Sequence, residues 1–321
     1  MKKKINTIFL GSNWEALAIL KTLYVDSRFN IVAIITQPDK PIGRKRIIIP
    51  SDIKNFGKQN NIPVEHTENK KEKYNEIINK YTPDLIVCIS FGELIPESFL
   101  IQPPCKAINV HFSLLPKYRG AVPIQKAILE GENETGISIV QMVKALDAGP
   151  ILSQHKVKIL PTDTNQILRE KLIKLTSEIL PDKLSQWCNN EIIPIEQNHK
   201  NATYCQQSDI SKDKAYIDIN LHTSVQIDRM VRAFIPWPVA WTKFQNKMLK
   251  IFSCSIIERE STEIIKNIDN FILFKTQEIN LTFGFISNDN KVIMLNEIQI
   301  EGKNKISGSI FANGIQGLRN S

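Results

Sequence analysis

A chain of 321 residues with 42% hydrophobic side chains is long enough for two ordinary domains and apolar enough to bury a real core, which excludes wholesale disorder. Its most apolar stretches are short (IFLG, LIVCIS, NFILF) and fall well below the roughly 18 residues that a membrane-spanning helix needs. The formal charge of +8 is concentrated in residues 1–50, where nine Lys/Arg face three Asp/Glu; on charge alone this is a solvated surface or a contact for a polyanion.

The opening MKKKINTIFLGSNWE has a basic start but only a brief apolar segment, so it reads as a first strand and not a signal peptide. A cytoplasmic location is the expectation. The five cysteines, at 88, 105, 188, 205 and 254, are odd in number and contain no C-x-x-C pair. That argues against a disulfide framework or a zinc knuckle. Cys88 and Cys254 sit in apolar runs and read as small core residues.

In chain order, Lys4–Leu10 has the pattern of a strand and Glu15–Val25 that of a helix, with Leu17, Leu20 and Tyr24 on one face. Ile31–Thr36 reads as a second strand. Ser51–Asn61 reads as a helix with Ser51 as its N-cap, and Lys71–Tyr81 as another, ended before Pro83. Asp84–Ser90 and Ala107–Phe112 are buried-type strands, Ala121–Gly131 is helical, and Gly136–Val143 is again a strand. Such alternation predicts a Rossmann-like, mostly parallel sheet covered by helices on both faces. Thr164–Asn190 is helical with an interruption at Pro181. The polar, irregular 191–207 reads as a linker. Beyond it a helix over Thr223–Phe234 precedes IPWPVAW, whose Trp237 is expected in the core. Short strands follow at Trp241–Gln245, Lys250–Ile257, Phe271–Lys275, Ile279–Thr282 and Val292–Ile300. They predict a small OB-like β-barrel. The domain division is therefore 1–190 (α/β), 191–207 (linker) and 208–321 (barrel).

The segment NVHFSLLPKYRG, residues 109–120, carries the first chemical signal. Side chains two apart on a strand share a face, so Asn109 and His111 project together while Val110 points away. They lie at the end of a strand, and the carboxyl ends of parallel strands are where open sheets bind ligands. Asp147, in QMVKALDAGPIL, is the candidate carboxylate to orient His111; it is expected in a loop after the strand ending at Val143, at the same end of the sheet. An Asn amide beside a His donor suits a developing oxyanion, which implies attack on a carbonyl carbon. Ser113 faces away from His111 by strand alternation, so the nucleophile is expected from a substrate, such as an amine, with His111 or Asp147 taking its proton. An Asn-x-His pair alone is weak, because a lone His in an apolar strand is most often a hydrogen-bonded core residue. A metal is not required, since water activation is not the task.

The stretch INVHFSLLPKYRGAVPIQKAILEGENETGISIVQMVKALDAGPIL resembles the core of the folate-dependent formyltransferase family, which pairs Asn-x-His and Ser-Leu-Leu-Pro with a later Leu-Asp-x-Gly. The resemblance implies transfer of a formyl group from 10-formyltetrahydrofolate to an amine, with Asn109, His111 and Asp147 as the catalytic trio. It implies a folate site at Ser113, Leu114, Leu115 and Pro116, with the backbone around Ile89, Ser90 and Phe91 at the pterin. Members act on methionyl-tRNA, glycinamide ribonucleotide or amino sugars. TQPDKPIGRKRIIIPS resembles the loop by which the tRNA-directed members enter the acceptor stem, with Arg44 at the functional arginine position and Lys40, Lys45 and Arg46 as further phosphate contacts. RMVRAFIPWPVAW and EGKNKISGSIFANG resemble the entry and end of their C-terminal domain. The resemblance therefore implies initiator methionyl-tRNA as the partner, with no membrane and no obligate protein partner. The alternatives are an amino-sugar N-formyltransferase and a catalytically silent tRNA-binding protein. Two departures stand out. Gly11-Ser12-Asn13 replaces the usual Gly-Thr-Pro turn, and Phe112 replaces a small residue after the His.

Overall fold

The structure is a computed structural model describing residues 3–39, 41–42, 47–48, 50–68 and 70–317. Its contacts define two compact units. The first comprises Met1–Gly120, Thr135–Lys158 and Glu170–Tyr204, and the second Ala121–Glu134, Ile159–Arg169 and Cys205–Ser321.

In the first unit, β1 (Ile5–Gly11) leads into α1 (Trp14–Val25), whose N-cap Asn13 accepts from the Ala16 amide at 3.1 Å. β2 (Phe29–Ile35) follows, then the two-residue strands β3 (Pro41–Ile42) and β4 (Ile47–Ile48), which pair antiparallel. α2 (Asp52–Gln59) starts at Ser51, whose hydroxyl accepts from the Lys54 amide at 3.3 Å, as its sequence signature predicts. Next come β5 (Val64–Glu65), α3 (Lys71–Tyr81), β6 (Leu85–Ile89), α4 (Glu97–Ile101), β7 (Ala107–His111) and β8 (Arg119–Gly120). α5 (Pro123–Glu130) belongs to the second unit. β9 (Glu134–Gln141), β10 (Ile151–Lys158), α6 (Asn165–Cys188) and β11 (Tyr204–Cys205) complete the sequence of elements.

The main sheet has the order β10-β9-β7-β6-β1-β2-β5. β5, β2, β1, β6 and β7 pair in parallel. Every residue of β6 is buried, the continuous apolar run expected of a strand covered on both faces. β9 instead runs antiparallel to β7, with Ile108 opposite Gln141 and His111 opposite Ser138. This corrects the expected path of the 142–150 loop. β9 starts at the edge where β7 ends, so the loop leaves from the opposite end and doubles back.

The expected break at Pro181 is also absent, because α6 continues through it for 24 residues. Proline removes one ladder bond at a cost of roughly 3 kcal/mol. Leu180 and Leu184, both fully buried, flank it, and each contributes about 1.5–3 kcal/mol of burial, which offsets that cost. Residues 191–204 are held by hydrogen bonds within the first unit. Ile195 exchanges backbone bonds with Ile151, and Thr203 bonds both Pro116 and Arg119.

In the second unit, α7 (Ser224–Ala233) has a full capping box between Thr223 and Gln226. An antiparallel sheet curled into a half-barrel follows, formed by β12 (Trp241–Phe244), β13 (Lys247–Ile257), β14 (Glu263–Ile268), β15 (Phe271–Lys275), β16 (Thr282–Ile286), β17 (Val292–Ile300) and β18 (Ile306–Ser307). Its order is β12-β13-β17-β16-β15-β14, with β18 on β17. α8 (Gly308–Gly317) sends Phe311 against Phe244 and Phe283, while Phe271 and Phe283 stack with ring centroids 5.1 Å apart. β16 lies C-terminal to the expected Ile279–Thr282 strand, because Phe283 and Phe285 supply the buried face. Trp237, expected in the core, is 49% exposed; Phe234 and Val239 on either side are buried in its place.

Candidate active site

Parallel register brings three strand ends to one edge. Gly11 of β1 lies opposite Ile89 of β6, and Cys88 of β6 opposite Asn109 of β7. The segments Gly11-Ser12-Asn13, Ser90-Phe91 and Phe112-Ser113 therefore leave the sheet together. Gly11 is required by close approach, since a Cβ there would stand 2.4 Å from the Ala16 Cβ. Ser90 turns the chain sharply, with φ 48°.

Asn109, His111 and Asp147 converge here. His111 is buried, and its Nε2 stands 2.8 Å from the Tyr118 carbonyl. A carbonyl only accepts, so Nε2 carries the hydrogen and Nδ1 is the edge turned to Asp147 Oδ2, 3.6 Å away. That is an ion-pair distance for a charged ring and longer than a hydrogen bond. Asp147 Oδ1 lies 3.5 Å from Asn109 Nδ2, and Oδ2 accepts from the Gly120 amide at 2.8 Å. Asp147 has φ 50°, in the left-handed region. Asn109 and His111, expected to project from one face of the strand, both stand beside the Asp147 carboxylate. Asp147 reaches them by the returning loop.

Among the described residues, no side chain is placed to act as a nucleophile at the trio. The Ser113 hydroxyl is buried and donates to the Lys117 carbonyl at 2.6 Å, away from His111. Burial pushes the Cys88 thiol up to about 12, with the nearby Asp147 charge acting in the same direction, so it stays protonated near neutrality. Phe112 packs inward, 7% exposed.

The 113–117 loop is pinned by Ser138. Its hydroxyl donates to the Ser113 carbonyl at 2.7 Å and accepts from the Leu115 amide at 3.0 Å. Leu115 is buried against Val140 and Ile151, whereas Leu114 and Pro116 are half-buried. Ile89 is buried, Phe91 half-buried and Ser90 exposed at the same edge. The basic residues Lys40, Arg44, Lys45 and Arg46 lie outside the described residues. Among the described residues, no group of three or more His, Cys, Asp or Glu is placed to hold a metal ion, and no helix is long and apolar enough to cross a membrane.

Sequence reading missed the residues that frame the trio. Tyr118, Arg119 and Gly120 are consecutive. The first receives His111, the third donates to Asp147, and the guanidinium of the second donates to Gln197 Oε1 from Nε at 3.2 Å and Nη2 at 2.6 Å. Gly120 has φ 121°, a conformation closed to other residues without strain. Gln197 lies in a polar stretch with no local pattern, and nothing in the sequence pairs it with a residue 78 positions away.

A carboxylate facing an amide and an imidazole, with no nucleophile of their own, suits transfer of an acyl-type group between two bound substrates. Residues 3–184 match the formyl transferase family and residues 209–316 the C-terminal domain of that family, and the chain belongs to it; it is a one-carbon transferase. It is 39% identical over 309 residues to the methionyl-tRNA formyltransferase of Dictyoglomus turgidum, covering 96% of this chain and 95% of that one. It is 36% identical over 312 residues to the methionyl-tRNA formyltransferase of Caldicellulosiruptor saccharolyticus, covering 97% of each. Among solved structures, it is similar in fold to WlaRD, a sugar 3N-formyl transferase determined with dTDP and 5-N-formyl-THF (TM-score 0.63, 21% identity, 94% of this chain and 100% of that one). It is also similar in fold to the N-formyltransferase of Helicobacter canadensis (TM-score 0.62, 19% identity, 91% of this chain and 98% of that one).

Proposed function

We propose that the protein transfers the formyl group of 10-formyltetrahydrofolate to the α-amine of methionine on initiator methionyl-tRNA, in the cytoplasm, for translation initiation. The observation that carries this reading is similarity to methionyl-tRNA formyltransferases over 96–97% of the chain, well above the identity to the sugar enzymes that share its fold.

The amine nitrogen attacks the formyl carbon and a C–N bond forms. Asn109 Nδ2 and the Nδ1–H of a charged His111, on the ring edge that Asp147 flanks, stabilise the oxyanion of the tetrahedral intermediate. Asp147 orients His111 and accepts the proton shed by the attacking amine. The bond from the formyl carbon to N10 of the folate then breaks, the proton held by Asp147 passes to N10, and formyl-methionyl-tRNA and tetrahydrofolate leave. Charge is created and discharged inside a small polar cluster, so the residues need only be preorganised and no metal is needed. Ile89, Ser90, Phe91, Ser113, Leu114, Leu115 and Pro116 form the folate side. Lys40, Arg44, Lys45 and Arg46 meet the phosphates of the acceptor stem.

The test is a formyl-transfer assay with 10-formyltetrahydrofolate and initiator methionyl-tRNA, run on wild type, His111→Ala and Arg44→Ala. Wild type forms formyl-methionyl-tRNA, and His111→Ala loses about 10²–10³ of the rate or more. Arg44→Ala weakens tRNA use with little change in folate use. Turnover with a nucleotide-linked amino sugar and none with tRNA replaces the substrate. tRNA binding without any transfer makes the chain a binding protein and removes the mechanism.

A further inference from the structure

Asp147 is held at its main chain as well as its carboxylate. Gln197 donates both hydrogens of one amide, to the Asp147 carbonyl at 2.9 Å and to the Gly149 carbonyl at 2.7 Å. Its own oxygen accepts twice from Arg119. The amide is therefore locked in one orientation, because a flip would turn its NH2 against the guanidinium. Gln197 and Arg119 are both buried, 5% and 3% exposed, and Arg119 Nη2 also donates to His199 Nδ1 at 2.9 Å. The next residue, Gly120, donates from its backbone to the Asp147 carboxylate. A residue in the left-handed region at the end of a returning loop has no secondary structure to hold it. Here a buried amide on one side and a backbone N–H on the other do so.

Resting on the formyl-transfer reading above, we infer that Gln197, oriented by Arg119, is a positioning residue for the reaction: it sets where the Asp147 carboxylate stands relative to His111. It touches neither substrate nor the reacting atoms. Displacements of about 1 Å at a reacting centre are enough to cost about 10²-fold in rate. The amide controls such a displacement through the 147–149 turn.

Gln197→Glu tests this directly. It keeps an acceptor for Arg119 but replaces the NH2 that gives both donors with a single carboxylate oxygen, which repels the Asp147 and Gly149 carbonyls. The expected result is a fall in kcat of about tenfold to a hundredfold, with KM for both substrates changed by less than about twofold and an unfolding midpoint close to wild type. Because the effect runs through Asp147, Gln197→Glu costs little further rate on an Asp147→Asn background in single-turnover measurements. Unchanged kcat, a KM rise that accounts for the loss, or fully multiplicative losses in the double variant overturn the proposal. Should Gln197→Glu fail to fold, Gln197→Met takes its place. Loss of fold in both makes the role structural and overturns it as well. A wild type that formylates a different amine sinks the tRNA assignment alone, and the same cycle is then read with that amine. A wild type with no transfer activity sinks the functional reading. The 15N resonances of the His111 ring then decide: they move in the Gln197 variant if the proposal holds and stay in place if it does not.

Discussion

The two sheets of this chain handle polar groups in opposite ways. In the first unit the central parallel strands are apolar on both faces, as in β6, so polar side chains collect where the strands end. Asn109 and His111 are the exceptions inside β7, and both face the Asp147 carboxylate. In the second unit the antiparallel strands bury phenylalanines. Phe244, Phe271, Phe283, Phe285 and Phe311 form one connected aromatic cluster. The difference teaches where to look for chemistry. A half-barrel spends its interior on packing, whereas a parallel sheet leaves an edge at which several loops and backbone donors can converge.

Substitutions at the two places should fail in different ways. The largest expected effect on stability is Phe283→Ala, which removes a fully buried ring from the cluster and costs about 3–5 kcal/mol, read as a lowered denaturation midpoint. Loss of less than about 1 kcal/mol would mean that the aromatic cluster is not the core of its unit. Next, Asn109→Ala lowers formyl transfer by about 10²–10³, equivalent to roughly 2.7–4 kcal/mol of transition-state stabilisation. Its unfolding free energy should stay within about 1 kcal/mol of wild type, since the amide makes only a long contact with Asp147. A large stability loss with normal turnover would reverse the contrast.

The smallest effect is polar and lies in the second unit. Asp289 accepts from the Ser224 amide at 2.8 Å, the Ser224 hydroxyl at 2.7 Å and the Ser287 hydroxyl at 2.7 Å, at the start of α7. Burial pushes its carboxyl up, but the hydrogen bonds from Ser224 and Ser287 outweigh it and bring the pKa from 3.8 down to about 2. A depressed folded-state value means the stabilisation is present in full above 3.8 and is lost as pH falls through about 2. Asp289→Asn should therefore cost about 0.5–1 kcal/mol at neutral pH after solvent screening, and the gap should close across that acidic window in urea titrations. A gap that persists below pH 2 would assign the effect to packing.

Much of the fold was legible because local physics agreed with the global answer. α3 spans the residues its apolar spacing marks, and the Ser51 cap bounds its helix as expected. β14, with most of its side chains exposed, offers little alternation to detect. α8 carries three glycines in ten residues, a composition that opposes a helix, and it is held by Phe311 and the fully buried Ala312. Trp237 was misread because a large aromatic between prolines looks like core, while its smaller neighbour Val239 is the one buried.

By itself the sequence determined that Asn109 and His111 share a face at a strand end, because a two-residue period leaves no other choice. It also carried the motif that marks the formyl transferase family. Only the tertiary structure decided how the carboxylate gets there. β9 turns antiparallel, the 142–150 loop returns, and Asp147 takes a left-handed backbone. Gln197 and Arg119, 78 residues apart, then meet beneath it. These are long-range backbone and amide contacts with no periodicity, so no window of sequence contains them.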